Sequence, residues 1–376
     1  VMVGVSARGA WALSVSMALF AISSSIALAS DADWTICLDL QNANGDPKIA
    51  ACTAVIKSGE KSGRELSVAY AGRAGGYKAK GEYDKALADI DEAIKLQPGF
   101  GELFYNRGVI NAAAGRSEEA MKDYNEALRL KPDLVVALSN RAGIYESKAQ
   151  FQRAFEDRDQ AVKLKPDYAK GYYNRGTDLL KMRQFDRAIS DFDQAIKLQP
   201  DFAEAYGNRG TAYAELGQNA LAIRDYSSEI ILNPKSAQAF NGRGTVFQAM
   251  GQHERAMEDF SAALVHQPSH VLARANRCQL GAMKSASMFR PLLDCTSALK
   301  LLPNNPNIFH SLGIVYLRMG KYDSAIENFN STLAIDGKQA DSLFWRGQAR
   351  RKKGDRAVGD ADIAAAGAIN PKYLRE

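Results

Sequence analysis

Six prolines constrain this chain more than any other feature. Pro98, Pro132, Pro166, Pro200, Pro234 and Pro268 follow one another at intervals of 34 residues without a slip. Proline has no N–H to continue a helix, so a recurring proline marks a recurring helix end. Between Pro166 and Pro200, Tyr172, Gly176 and Leu179 recur at helical spacing, and Ala188, Phe192 and Ala195 do so again. Each period therefore holds two amphipathic helices and a turn. Such periods mean stacked repeats with one continuous core, so chain length counts repeats rather than domains.

Placing each proline at position 32 fixes the register. The repeats are then 67–100, 101–134, 135–168, 169–202, 203–236, 237–270, 271–305, 306–339 and 340–373. The seventh carries one extra residue, the eighth has Gly337 in place of its proline, and the ninth recovers it as Pro371. Glycine fills the turn between the helices at Gly81, Gly115, Gly217, Gly251, Gly320 and Gly354, with Ala149 and Arg183 departing from the pattern. That position calls for a left-handed backbone, which costs a residue with a Cβ about 1 kcal/mol. Ala86, Ala120, Ala154, Ala188 and Ala256 share one position of the second helix, where a small side chain lets the paired helices approach.

On this period and these columns the chain resembles exported bacterial tetratricopeptide-repeat proteins, strongly over 67–373 and weakly over 31–66. The resemblance implies an all-α fold, a right-handed superhelical solenoid of helix–turn–helix repeats. It also implies that the first helices line a groove for a peptide or another protein. The domain plan is then residues 1–29 as a signal peptide, 30–66 as a degenerate first repeat, 67–373 as nine repeats and 374–376 as a tail.

The N-terminal plan rests on Arg8, the apolar run from Gly9 to Ala29, and its Ala27-Leu28-Ala29 end. A basic start, apolar middle and small-residue end make a secretory signal, with cleavage expected after Ala29 and a periplasmic or secreted destination. A retained membrane anchor is the alternative, because about 20 apolar residues span a bilayer. Contact with a membrane is expected only in that case. Beyond it, Trp34, Cys37 and Leu40 share a face, a turn is expected at Asn44-Gly45-Asp46-Pro47, and Ile49, Cys52 and Ile56 recur at helical spacing.

Two polar columns run through the repeats. Arg73, Arg107, Arg141, Arg175, Arg209, Arg243, Arg277 and Arg346 are each followed sixteen or seventeen residues later by Asp89, Asp123, Asp157, Asp191, Asp225, Asp259, Asp294 and Asp362. The eighth repeat loses both partners together, with Leu312 and Asn328 in their places. Joint loss argues for ion pairs inside each repeat, tying its first helix to its second, rather than for a ligand site.

The other column is Asn106, Asn140, Asn174, Asn208 and Asn276, interrupted by Gly242. An amide both donates and accepts, and asparagine ladders of the similar family grip peptide backbone. The candidate binding residues are these five asparagines with the adjacent Tyr105 and Tyr173. The competing reading is that the amides cap polar groups between neighbouring helices. The Lys/Asn pattern that clamps a C-terminal carboxylate in chaperone-binding relatives is missing, since Tyr105, Val109, Tyr173 and Thr177 stand at the corresponding positions.

Cys278 and Cys295 stand at positions that pack against each other across the helix pair in the similar family, and Cys37 and Cys52 have almost the same relation, 15 rather than 17 residues apart. In an exported protein an even, paired count points to two structural disulfides; four buried thiols are the alternative. With no Cys-x-x-Cys and only scattered histidines, no metal site is expected. No phosphate loop or nucleophile elbow appears and repeats fill the chain, so neither enzymatic activity nor a small-molecule cofactor is expected. The 48 basic and 43 acidic residues give a net charge of +5, too even to argue for nucleic acid. The basic group from Arg350 to Arg356 reads as the polar cover of a terminal repeat. The expectation is a non-enzymatic scaffold of the cell envelope that holds a protein or peptide partner. A signal-anchored component of an envelope assembly or secretion machinery, working by its outer faces, is the alternative.

Overall fold

The structure, a computed structural model, describes residues 30–38 and 45–374. The expected signal segment 1–29 and Leu40 lie outside the described residues. All regular elements among those described are helices, and they pair in sequence order. The chain falls into two compact units that meet at Leu134 and Val135 in sequence.

The first unit contains α1 (Asp31–Leu38), α2 (Gly45–Ser58), α3 (Gly63–Ala79), α4 (Tyr83–Leu96), α5 (Gly101–Ala113) and α6 (Ser117–Leu130). The second begins with α7 (Val135–Ser147), α8 (Phe151–Leu164), α9 (Ala169–Lys181), α10 (Phe185–Leu198), α11 (Ala203–Glu215), α12 (Asn219–Leu232), α13 (Ala237–Ala249) and α14 (His253–His266). It continues with α15 (Val271–Lys284), α16 (Phe289–Leu301), α17 (Pro306–Arg318), α18 (Tyr322–Ile335), α19 (Ala340–Lys353) and α20 (Arg356–Ile369), and closes on a 3₁₀ turn, Pro371–Leu374. Inside each unit this is an all-α solenoid of helix pairs.

The local chemistry follows the columns. Helices α4, α10 and α12 each stop two residues before a proline, and Gln97, Gln199 and Asn233 leave the helical region there. A residue that precedes proline by steric rule avoids the helix, and the chain turns into the next repeat. The turn column is left-handed throughout, from Gly81 at φ 75° to Gly354 at φ 115°. Ala149 and Arg183 take the same conformation at 55° and 58° although they carry a Cβ. One local expectation fails: α2 starts at Gly45, so Asp46 and Pro47 belong to its first turn rather than to a loop. Proline is tolerated there because the N–H it lacks would have no helical acceptor.

The core rule within a repeat is a contact between position 8 and position 24. Gly108, Gly176, Gly244 and Gly313 lie under the rings of Tyr124, Phe192, Phe260 and Phe329, where an added Cβ would fall 2.5, 2.6 or 2.8 Å from ring carbons. Where position 24 is Ile90 or Arg158, position 8 is Ala74 or Ala142. In repeat 271–305 the same contact is covalent: Cys278 and Cys295 form a disulfide, S–S 2.11 Å. Cys37 and Cys52 do likewise between α1 and α2, S–S 2.08 Å.

Candidate functional site

The arginine column folds as expected and does more. Arg175 presents Nε and Nη2 to the two carboxylate oxygens of Asp191 at 2.8 and 2.6 Å. Arg73–Asp89, Arg141–Asp157, Arg243–Asp259, Arg277–Asp294 and Arg346–Asp362 repeat this fork. Arg209 holds both oxygens of Asp225, and Arg107 meets one oxygen of Asp123. The remaining nitrogen, Nη1, reaches back to the preceding repeat. Its acceptors are Asp91 for Arg107, Asp159 for Arg175, Asp193 for Arg209, Ser227 for Arg243, Ser261 for Arg277 and Asn330 for Arg346. Each of these six guanidinium groups thus ties two helices of its own repeat to the one before. These arginines are consumed by structure, and the carboxylate partners hold their pKa values up at Arg73, Arg141 and Arg175.

The asparagine column lies on the first helices of the pairs. In the second unit, Asn208 on α11 donates through Nδ2 to Tyr173 Oη (3.2 Å) and Thr177 Oγ1 (3.3 Å) of α9. Two periods on, Asn276 of α15 donates to Asn241 Oδ1 (3.0 Å) and Thr245 Oγ1 (3.4 Å) of α13. Asn241 precedes Gly242, the residue that interrupts the sequence column, and puts an amide one position earlier. Tyr173 is half-buried between Phe192 and Phe202, with ring centroids at 6.1 and 4.8 Å. Burial first, and then Glu204, raise its phenol pKa. Asn174 is half-buried and Asn140 exposed on their helices; the carbonyl of Asn174 accepts from Arg158 Nη1 at 3.2 Å. Thr245 and Asn241 were not singled out by sequence, and Thr177 only as a departure from the carboxylate clamp. The signal for the hydroxyls was a threonine three residues after the ladder position in three successive repeats, Thr177, Thr211 and Thr245.

In the first unit the same face is hollow. A cavity of about 550 Å³ opens among α1 to α5, lined by Ala71, Gly72 and Gly75 of α3 and by Leu103, Asn106 and Val109 of α5. It exists because α3 carries Ala71 and Gly72 where α5 carries Tyr105 and Asn106. Tyr105 packs near Tyr124, centroids 6.0 Å apart. Among the described residues no three side chains converge to hold a metal, and no helix is long and apolar enough to cross a membrane.

The comparisons agree with this architecture. The tetratricopeptide repeat family matches residues 74–134 and 173–239, and a second family of that description matches 295–327. No match is found among curated proteins. Among solved structures, the C-terminal part of a repeat-containing protein from Cytophaga hutchinsonii is 18% identical with a TM-score of 0.52, over 65% of this chain and 98% of that one. A tetratricopeptide repeat protein from Parabacteroides merdae is 17% identical with a TM-score of 0.51, over 69% and 98%. These two likenesses bear on fold alone. With the family matches they support an all-α solenoid of tetratricopeptide repeats.

Proposed function

We propose that the chain is a non-catalytic scaffold whose first helices hold an extended polypeptide segment by its backbone. Repeats of this class generally mediate protein–protein binding. The observation that carries the reading is the state of the Asn208 and Asn276 amides. Their donor ends are spent on the preceding first helix, and no bond engages their carbonyl oxygens among the described residues. Each amide is therefore oriented in advance, with an acceptor left for a partner's N–H. Asn140, Asn174 and Tyr173 complete the proposed contact set of the second unit, and Tyr105 and Asn106 are the proposed contacts of the first. Two disulfides, with the sequence of residues 1–29, support an oxidising envelope compartment as the place of action.

The test is capture from a cell-envelope extract by the native protein and by a variant with Asn140, Asn174, Asn208 and Asn276 all changed to Ala. Helicity of the variant is checked first. A partner kept by the native protein and lost by the variant is the expected result. Equal capture by both would remove the amides from the function.

A further inference from the structure

Repeat 203–236 breaks two columns at once. Position 27 is Ala93, Ala127, Ala161 and Ala195 in the repeats before it and Ala263 and Ala298 in those after it, but here it is Glu229. Position 5 carries a side chain in every other repeat (Ala71, Tyr105, Ser139, Tyr173, Asn241, Ala275, His310 and Phe344), but here it is Gly207. The two exceptions meet. A Cβ built on Gly207 would lie 1.8 Å from Glu229 Oε2. The carboxylate of α12 therefore reaches into the notch that Gly207 leaves in α11. Its oxygen stands where other first helices start the side chain that precedes the ladder position.

Glu229 is only 6% exposed. Its Oε1 accepts from Ser236 Oγ at 2.6 Å. Its Oε2 has no hydrogen-bond partner among the described residues, yet it is not among the atoms sealed from solvent. Among the described residues no cation neutralises it: the charge that acts on it is Glu204, an exposed carboxylate with no ion-pair partner among them. Burial, and then Glu204, push its pKa up, while the Ser236 hydroxyl opposes them. A buried carboxylate without a counter-charge is costly. The solenoid does not need it, because alanine serves the same position in most other repeats.

We propose that Glu229 is a seat for a cationic side chain, a lysine ammonium or an arginine guanidinium, on the extended partner. The inference rests on the groove reading above and names one feature of the partner's sequence. An incoming ammonium would meet Oε2 at the notch, with Glu204 of α11 adding to the field and Asn208 next in sequence to Gly207. Such a contact supplies the missing counter-charge and a charge-assisted hydrogen bond.

The experiment uses the purified protein and two acetylated, amidated heptapeptides, Ala-Ala-Ser-Lys-Ser-Ala-Ala and its norleucine counterpart, by calorimetry at low salt. The native protein is expected to prefer the lysine peptide about tenfold, as a charge-assisted bond predicts. Glu229→Ala and Glu229→Gln are each expected to remove that preference. Glu229→Ala installs the residue that neighbouring repeats already use, so its fold is safe, and its melting temperature is expected to equal or exceed the native value. Equal affinity of the native protein for both peptides, absence of binding included, overturns the seat. So does a lysine preference that survives Glu229→Ala. Cadaverine bound as tightly as the lysine peptide would assign the seat to a free amine and overturn the side-chain reading. The groove reading fails by a different result, equal capture by the four-asparagine variant.

Discussion

Helices α7–α10 and α11–α14 are two consecutive stretches of one unit, built to the same 34-residue plan by different means. In α11–α14 and the helix that follows, neighbouring repeats meet through apolar contacts. Tyr226 shares a buried cluster with Val246, and Phe260 with Leu280. Both turns are glycine, Gly217 and Gly251. In α7–α10 the same contact is ionic. Arg158 stands in the aromatic column and Asp178 in the apolar one, joined by a hydrogen bond from Arg158 Nη1. Arg158 also donates to Glu146 at 2.6 Å. Both turns in that stretch lack glycine. The difference teaches that the fold is set by where groups meet rather than by what they are, provided that the two sides change together.

The arginine column shows what a satisfied buried pair looks like. The Arg209 side chain is 12% exposed and that of Asp225 1%, and each polar end is bonded. Removing one partner strands the other. Asp225→Ala is expected to lower unfolding free energy by about 3–5 kcal/mol, the largest effect of any single change considered. Urea denaturation followed by circular dichroism measures it. A loss below 1 kcal/mol would mean that Asp193 alone keeps Arg209 at ease, and the column would carry less than its regularity suggests.

The Arg158–Asp178 pair is expected to behave in the opposite way. Arg158 Nε and Asp178 Oδ2 are sealed from solvent with no partner, so the pair has buried charge without full hydrogen bonding. Replacing both, Arg158→Ile with Asp178→Val, sets Ile against Ala142 as Ile90 stands against Ala74, puts Val where the repeat 237–270 has Val246, and should gain about 1–4 kcal/mol. A pH signature accompanies this. Burial raises the Asp178 pKa to about 6, against the pull of Arg158. The folded state then binds more protons than the unfolded one between about pH 4 and 6, so stability from this residue falls as pH rises through that window. The gain of the double variant over the native protein should therefore be small near pH 4 and reach its full value above pH 6. A gap that does not change with pH would show that Asp178 stays ionised throughout.

Much of this was legible in sequence because each column is written many times over. The prolines, the turn glycines and the joint loss at Leu312 and Asn328 gave helix ends, handed turns and intra-repeat ion pairs. The third bond of six of the arginines was not foreseen, although its signal was present: Asp91, Asp159, Asp193, Ser227, Ser261 and Asn330 form a column of short acceptors two residues after the aspartate position. Nothing short of the angle between successive second helices says that one guanidinium reaches both. The Glu229–Gly207 contact was not legible at all. Glu229 departs from a mostly alanine column and Gly207 from a varied one, and only packing reveals that they fill one space. The cavity of the first unit likewise comes from small residues in α3, whose meaning depends on what α5 places opposite.

The smallest expected effect concerns the turns of the ionic stretch. Ala149 and Arg183 hold φ values of 55° and 58°, in the region where a Cβ crowds the backbone. Ala149→Gly removes that strain and loses no side-chain contact beyond a methyl. Against it stands the greater freedom that glycine gives the unfolded chain, which recovers part of the gain. The net stabilisation should be about 0.5–1 kcal/mol. Arg183→Gly should gain less, because Arg183 also lies over the Phe185 ring at 5.1 Å and meets Glu215 at 3.2 Å. The mirror change, Gly217→Ala in the apolar stretch, should lose about 1 kcal/mol. Thermal melts of the three single variants would order them Ala149→Gly, Arg183→Gly, Gly217→Ala from most to least stable. If Ala149→Gly instead melts below the native protein, the turn is not where that stretch carries its strain, and the Arg158–Asp178 contact is left as its only costly departure from the plan.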